Sequence, residues 1–321
     1  MRKKHRRRMQ VAQVFNRVNK MSAHANAKCL VRGIGIVAIL LFPARAWPAR
    51  SYDVTGVLLR VDQAHQTIFV SCDEIPGFMD AMAMSFRVRD AKTIAGLHPG
   101  MKIDFSLVAE KDLSVAENIR ARPFESLELD PTAARRLKLM ENAMADRSSS
   151  ADIVQIGEPV PDFVLTDQNR QRISLSQFKG KVTAITFIYT RCPRPDYCIR
   201  LSNNFGLLQR RFKSQMGRDL ILLTVVIDPV HDQPEALSSY ARTWKADAQS
   251  WHFLTGPVAD IQRLCRGFDM NFYPDEALLV HSLHTVVIDR QGNLFANLEG
   301  NDFSAQQLGD LVQTVLSPGH E

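Results

Sequence analysis

The sequence predicts a two-domain protein of mixed class, in which a small five-stranded β-barrel precedes an α/β domain. Its 321 residues allow about two domains at roughly 150 residues each. Between residues 52 and 124, short strand-forming stretches alternate with turn residues, which is typical of small barrels. From Ile156 onwards, strand and helix patterns alternate along the chain, as they do in parallel and mixed α/β folds.

The first 46 residues have the order of segments found in secretory signal peptides. A long basic region comes first, then an apolar stretch at residues 33–42, then an Ala-Arg-Ala cleavage sequence at residues 44–46. The apolar stretch is far shorter than the about 20 residues that a spanning helix needs. We therefore expect an exported, periplasmic protein cleaved after Ala46. Two alternatives stay open: translation that begins at Met9 or Met21, and an uncleaved leader that anchors the protein in the inner membrane.

The distribution of charge argues against a nucleic acid partner. The net charge is +6, but the first 46 residues contain 11 of the 40 Lys and Arg residues and none of the 34 Asp and Glu residues. The rest of the chain holds 29 basic against 34 acidic side chains. Residues 52–124 also lack the aromatic side chains beside basic ones with which barrels bind single strands.

The barrel domain is expected over residues 50–125, and a linker over residues 126–155. In the linker, Pro131 opens a short helical stretch that the serine run at residues 148–150 ends. The barrel strands are predicted at residues 53–62, 67–72, 83–88, 101–108 and 115–123.

The α/β domain is expected over residues 156–318. A hairpin turn at residues 290–293 joins its last two strands. Its strands are predicted at residues 182–189, 220–228, 252–254, 285–289 and 294–298. Its helices are predicted near residues 197–214, 234–246, 258–268 and 304–316.

The cysteines are too few and too unevenly spaced for a disulfide framework, so each needs its own explanation in redox chemistry, metal binding or packing. They are Cys29, Cys72, Cys192, Cys198 and Cys265. Cys29 leaves with the leader. Cys265 lies in a predicted helix and is expected to be a small buried apolar residue.

Cys192 and Cys198 are the principal candidate site. Cys192 follows a predicted buried strand, at the strand end where open α/β sheets place their chemistry. Pro193 and Pro195 prevent a regular helix between the two cysteines, so the thiols can fold back towards each other. Asp196 is expected as an N-cap, which would put Cys198 in the first helical turn, where a thiolate is stabilised. Such a thiolate can attack a disulfide or bind a soft metal.

Three segments carry a resemblance to a known family: GEPVPDFVLTDQNRQRISLSQFKGKVTAITFIYTRCPRPDYCIRLSNNF, VIDPVHDQPEALSSYA and LLVHSLHTVVIDRQGNL. They resemble the Sco/SenC family of thioredoxin-fold copper proteins, over about residues 156–318. The resemblance implies a thioredoxin-like fold and copper, Cu(I) or Cu(II), bound by Cys192, Cys198 and His281. Five residues separate the cysteines here, as in a subset of bacterial members, whereas the better-known family motif has three.

Neighbouring residues supply the alternatives at this site. His284 is the substitute ligand if His281 does not bind metal. Asp228 and Asp232 flank the end of a predicted strand, and we expect them to cap the next helix.

A second candidate site lies in the barrel. The stretch IPGFMDAMAMSF resembles the CusF-like periplasmic copper-binding domains, which are small OB-like barrels, and the likeness covers about residues 52–124. It implies a Cu(I) site with Met82 and Met84 as ligands and Cys72 where the family has a histidine. Met79 lies near the position of an aromatic ring that covers the metal in some members. The alternative is that these methionines only pack in the barrel core.

Together the two resemblances imply an exported copper metallochaperone. Its expected partners are a copper donor protein and the copper subunit of a respiratory oxidase, with a membrane contact only if the leader is uncleaved. An alternative is a thiol–disulfide oxidoreductase in which Cys192 and Cys198 form the redox pair. A third hypothesis is a copper-buffering protein without a dedicated client.

Overall fold

The structure is a computed structural model that describes residues 50–110, 113–123, 135, 139, 153–275 and 278–317. The predicted signal peptide and almost all of the predicted linker lie outside the described residues. Within the described part of the chain, none of the helices has both the length and the apolar character needed to cross a membrane.

The N-terminal part forms a closed five-stranded barrel, as predicted. The strands close in the order β1-β2-β3-β5-β4, in which β3 and β5 are parallel and the other pairs antiparallel. Their bounds are β1 Arg50–Asp62, β2 Thr67–Cys72, β3 Met82–Val88, β4 Lys102–Glu110 and β5 Leu113–Ala121. Gly56 on β1 permits the close approach of β2, because a Cβ there would lie 2.6 Å from the Ser71 carbonyl oxygen.

The C-terminal part contains a seven-stranded mixed sheet with the order β14-β13-β8-β9-β10-β6-β7. β8, β9 and β10 are parallel, and the flanking strands pair antiparallel. The bounds are β6 Val164–Asp167, β7 Arg172–Ser174, β8 Val182–Ile188, β9 Leu220–Val226, β10 Trp251–Thr255, β13 His284–Ile288 and β14 Leu294–Glu299. Every residue of β8, β9 and β10 is buried, since helices or other chain segments cover both faces.

A separate hairpin and several helices complete the α/β domain. The hairpin consists of β11 Phe272–Asp275 and β12 Leu278–His281, and it pairs Phe272 with His281. The helices are α1 Arg200–Arg211, α2 Pro234–Thr243, α3 Val258–Gly267 and α4 Ala305–Leu316. The β6–β7 pair and this hairpin are absent from the sequence prediction, which otherwise has the strands and helices close to their observed positions.

The barrel docks against α4 within one compact unit, Pro48–Glu321. Val57 and Leu59 of β1 join the hydrophobic core of the α/β domain. Ser71 Oγ donates to Asp310 Oδ2 at 2.7 Å. The Gln307 side chain donates to the Ser71 carbonyl at 3.2 Å and also reaches the carboxylate of Asp73. Apolar burial and polar contacts therefore hold the outer face of β2 on the first half of α4.

Candidate metal centre

The cysteine loop connects β8 to α1. A π-helical turn at Pro195–Ile199 replaces a regular α-helical start, in agreement with the predicted break. The prediction of Asp196 as N-cap is wrong: Arg194 takes the cap position, because Pro195 with its fixed φ occupies the first helical position. Cys198 nevertheless lies within this first turn, as expected.

The structure brings the two thiols of the loop together. Both are reduced, with Cys198 buried and Cys192 half-buried. The Cys198 thiol donates a hydrogen bond to the Cys192 sulfur, and this bond lowers the pKa of Cys192 to about 6, although burial opposes the shift. The same bond and burial raise the pKa of Cys198 well above its ordinary value. The pair is therefore one thiolate and one thiol at neutral pH.

His281, at the end of β12, is 7% exposed. Its Nδ1 lies 2.8 Å from the Ser282 carbonyl oxygen. A carbonyl only accepts, so Nδ1 carries the proton and Nε2 carries the lone pair. Nε2 is buried without a hydrogen-bond partner, and burial lowers the pKa of His281 to about 4. An unpartnered buried lone pair is costly and suits a metal ion, so this residue fits copper coordination.

Tyr189 contacts the histidine of the β11–β12 hairpin, and sequence reasoning missed it. Its ring meets the His281 imidazole edge-on, with centroids 5.8 Å apart. Burial raises the pKa of Tyr189, and a hydrogen bond from its hydroxyl contributes to the lowered pKa of Cys192. The only sequence signal was an aromatic residue at the end of a buried strand, three positions before Cys192.

The three predicted ligands are not close enough together to bind one metal ion. Among the described residues, no three His, Cys, Asp or Glu side chains are arranged to hold a metal ion. Cys192 and Cys198 are already in contact, so the movement required for binding falls mainly on His281. The hairpin β11–β12 that carries it pairs with no other strand in the described part of the chain.

His284, the predicted substitute ligand, resembles His281 in the hydrogen bonding of its imidazole but lies elsewhere in the domain. Its Nδ1 lies 2.9 Å from Asn297 Oδ1, and the Asn297 amide is fixed because Nδ2 donates to the Phe268 carbonyl. His284 Nε2 is also buried without a partner. The residue lines a cavity of about 480 Å³ that it shares with His98 and Lys102 of the barrel. His284 therefore lies at the seam between the barrel and the α/β domain.

The prediction that Asp228 and Asp232 cap the next helix is wrong. The N-cap of α2 is Gln233, and no side chain caps that helix end. Asp232 instead accepts the backbone N–H of Thr190 at 3.0 Å as well as its hydroxyl. Asp228 forms an ion pair with Arg191 at 2.7 Å. Both carboxylates therefore fasten the loop after β9 to the residues just before Cys192.

Cys265 is a small buried apolar residue, as predicted. It is 1% exposed in α3 and packs in the core of the α/β domain. Burial raises the pKa of its thiol. A protonated, enclosed thiol is unreactive, so Cys265 takes no part in the site.

The candidate residues of the barrel share one face. Cys72 on β2 stands directly opposite Met82 on β3, and Met84 lies two residues further along. Cys72 is 1% exposed, and burial raises the pKa of its thiol to about 12, whereas Met82 is 46% exposed. Ser71 and Ala83 point the other way, towards α4 and the α/β core. The wall of the barrel thus separates the soft donors from α4, and the site opens at Met82.

Alkylation should reveal the thiolate of Cys192. We expect reduced protein to react with iodoacetamide at Cys192 with a midpoint near pH 6, while buried Cys198 stays unmodified. Replacing Cys198 by alanine removes the donor that stabilises the thiolate, so the midpoint should move up towards 9. Mass spectrometry of timed reactions across pH measures both. A midpoint above pH 8 in the unmodified chain would contradict the hydrogen-bonded pair.

Two known protein families match this chain, one in its C-terminal half and the other in its N-terminal half. The profile of the SCO1/SenC family matches residues 155–317, and the profile of the copper binding periplasmic protein CusF matches residues 51–121. A putative copper-binding protein of Stutzerimonas stutzeri is 27% identical over 138 residues, which are 43% of this chain and 65% of that protein. Protein sco1 of Schizosaccharomyces pombe is 25% identical over 179 residues, 52% of this chain and 65% of that protein.

This chain thus covers just under two thirds of the length of these two relatives. Among solved structures, a SCO1/SenC family lipoprotein from Bacillus anthracis superposes with a TM-score of 0.45 at 22% identity. The superposition covers 51% of this chain and 100% of that one.

Proposed function

The chain belongs to the SCO1/SenC family, whose profile matches half of it, and from that membership and the site geometry we propose a copper chaperone that holds its cargo between Cys192, Cys198 and His281. The observation that carries the proposal is the Nε2 atom of His281, a buried lone pair without a partner. It lies on the hairpin β11–β12, where the ring of Tyr189, three residues before Cys192, meets the His281 imidazole edge-on.

The chemistry of these donors supports copper as the cargo. Two sulfur ligands and one imidazole are a soft set that suits Cu(I) and can also hold Cu(II). Cys192 is already deprotonated at neutral pH, and Cys198 must release its proton when it binds a metal ion. His281 stays neutral down to about pH 4 and so keeps its lone pair available. Copper binding therefore releases one proton at neutral pH, and a lower pH weakens it.

The CusF-like barrel supplies a second proposed site, with Cys72, Met82 and Met84 as Cu(I) ligands. The three donors share a face that opens at the exposed Met82. The barrel wall lies between this face and α4, so we propose that the barrel receives copper from a separate donor protein at Met82. Transfer to Cys192 within one molecule then requires the barrel to leave α4.

Export and the client are further parts of the proposal. The leader pattern of residues 1–46 and the match to a periplasmic copper-binding domain support a periplasmic location. Family membership supports the copper subunit of a respiratory oxidase as the client. A deletion strain should lose oxidase activity at low copper and regain it when copper is added. Copper sensitivity with normal oxidase activity would favour a buffering role.

An anaerobic Cu(I) titration tests the two sites together. Fully reduced protein that starts at Trp47 should bind two equivalents in competition with a chelator of known affinity. The double change Cys192→Ser/Cys198→Ser should remove one equivalent, and Cys72→Ser should remove the other. One equivalent that depends only on Cys192 and Cys198 would make the barrel a docking module, and the absence of tight binding would overturn the copper proposal.

The lowered pKa of Cys192 favours a second candidate function, thiol–disulfide exchange with a client. The Cys192 thiolate would attack a client disulfide, forming a mixed disulfide and releasing one client thiolate. Cys198, once deprotonated, would then attack Cys192 and release the second client thiolate. The chain would end as a disulfide and the client as a dithiol, ready to accept metal.

A further inference from the structure

Two of the proposed barrel ligands, Cys72 and Met82, lie at the end of a strand pair, beside the connection of residues 73–81. Cys72 is the last residue of β2, and Met82 is the first residue of β3 and stands directly opposite it. β3 pairs with β5 only at Arg87 and Val88, so among the described residues Met82 has one neighbouring strand, β2. The ends of strand pairs open more readily than their centres. Contacts from outside the barrel therefore help to keep the two ligands side by side.

Gln307 of α4 holds the residues on either side of Cys72. Its Nε2 donates to the Ser71 carbonyl at 3.2 Å and to Asp73 Oδ1 at 2.9 Å. Its Oε1 accepts the Ser304 N–H at 2.8 Å, as part of the capping box at the start of the helix. Gln307 is 2% exposed, and these bonds use both donors of its amide and its oxygen. A side chain bonded in this way at both ends is a rigid support for the segment around Cys72.

Gln306, the preceding residue of α4, holds the chain next to Met82. Its Nε2 donates to the Ala81 carbonyl at 2.9 Å. On the other side of Met82, Ala83 packs against the hydrophobic core of the α/β domain. The chain is thus held to the α/β domain immediately before and immediately after Met82, while the ligand side chains lie on the opposite face of the strand pair.

We infer that Gln306 and Gln307 are positioning residues of the barrel copper site, so that the barrel binds Cu(I) more tightly when it is docked on α4 than when it is free. The inference rests on the proposed barrel site and adds to it two residues of the other domain, outside the ligand set. A docked barrel presents Cys72 and Met82 already side by side, so binding costs less ordering of the chain. When the barrel leaves α4, as the proposed transfer to Cys192 requires, the ligands lose this support and copper is released more easily.

Two substitutions remove these bonds and leave the start of the helix intact. Gln306→Ala removes the bond to the barrel and puts a better helix former at an exposed position. Gln307→Glu keeps the capping acceptor for Ser304, because glutamate is also found at this position of a capping box. It places a carboxylate oxygen against the Ser71 carbonyl and Asp73, so the side chain repels the segment that it held.

Copper affinity is measured in reduced two-domain protein with Cys192→Ser/Cys198→Ser, where only the proposed barrel site remains. Adding Gln306→Ala/Gln307→Glu should weaken Cu(I) binding by about tenfold in chelator competition, at the lower end of the effect that partners outside the ligand set usually have. An unchanged affinity would overturn the positioning role.

Two further variants show that the hydrogen bonds themselves are responsible. Gln313→Ala is the matched control, because Gln313 is an exposed glutamine of the same helix whose amide donates to Ser317. It should leave the copper affinity unchanged. Gln306→Lys keeps a donor for the Ala81 carbonyl, so it should lose less affinity than Gln306→Ala. An equal loss in these two variants, or a tenfold loss in Gln313→Ala, would contradict the role of the bond from Gln306.

Hydrogen–deuterium exchange of the reduced, metal-free protein separates this inference from the proposed function. Gln306→Ala/Gln307→Glu should raise the exchange rate of residues 71–84 by about tenfold and leave that of β4 unchanged, whereas a general loss of stability would raise both. Unchanged exchange in residues 71–84, or an equal rise in β4, would overturn the inference. If the chain without Cys192 and Cys198 binds no copper, the proposed barrel site is wrong, and the exchange result still decides whether α4 holds these residues in place.

Discussion

Replacing His281 by alanine should release copper from the cysteine pair while leaving the dithiol intact. The change removes the unpartnered Nε2 lone pair that we propose as the third ligand. Outer-shell changes alone weaken metal sites by about 10–100-fold, so loss of a direct ligand should cost at least about 100-fold in copper affinity. The Cys192 thiolate depends on Cys198 and Tyr189 rather than on His281, so reaction with a small disulfide should continue at nearly the original rate.

His284→Ala is the matched control for this experiment. His284 has comparable burial and an equally unpartnered Nε2, but it lines the cavity at the barrel seam. Chelator competition should therefore give the original copper affinity. If His284→Ala loses copper and His281→Ala keeps it, the ligand assignment is wrong. If His281→Ala loses disulfide exchange and keeps copper, both role assignments fail.

The second large effect is a loss of stability in acid. In the folded protein, His281 has a pKa of about 4, against an ordinary value of 6.5. Between these values the unfolded chain binds more protons than the folded one, so the free energy of unfolding falls as the pH falls. The stability that the neutral imidazole contributes is fully present above pH 6.5, and about 3 kcal/mol of it is lost on reaching pH 4.

Urea unfolding of the reduced, metal-free protein at pH 7 and pH 4.5 measures this loss. Burial raises the pKa of Asp73 and Asp232, and these two shifts increase the free energy of unfolding as the pH falls. The unmodified chain must therefore be compared with a variant that keeps both aspartates. His281→Asn removes only the titrating imidazole. The variant should lose clearly less stability than the unmodified chain between the two pH values. Equal losses would show that His281 is not held neutral by burial.

The sequence by itself determined the two-part architecture. Alternation along β2 places Ile68, Val70 and Cys72 on the inner face of the barrel, because successive side chains of a strand point to opposite sides. The apolar run of β8 and the prolines after it determined a buried strand followed by a loop with two cysteines. These features follow from local patterns, and the family resemblance added the histidine.

Tertiary structure alone decided which polar groups meet. Asp232 is close to α2 in the sequence and could have capped it, yet it bonds to Thr190, 42 positions away. His281 and His284 are three residues apart and both buried, but one contacts Tyr189 and the other lines the barrel seam. The short β6–β7 and β11–β12 pairs have too few residues to show a period. Their partners are fixed by packing between distant segments, and local propensity carries no information about those contacts.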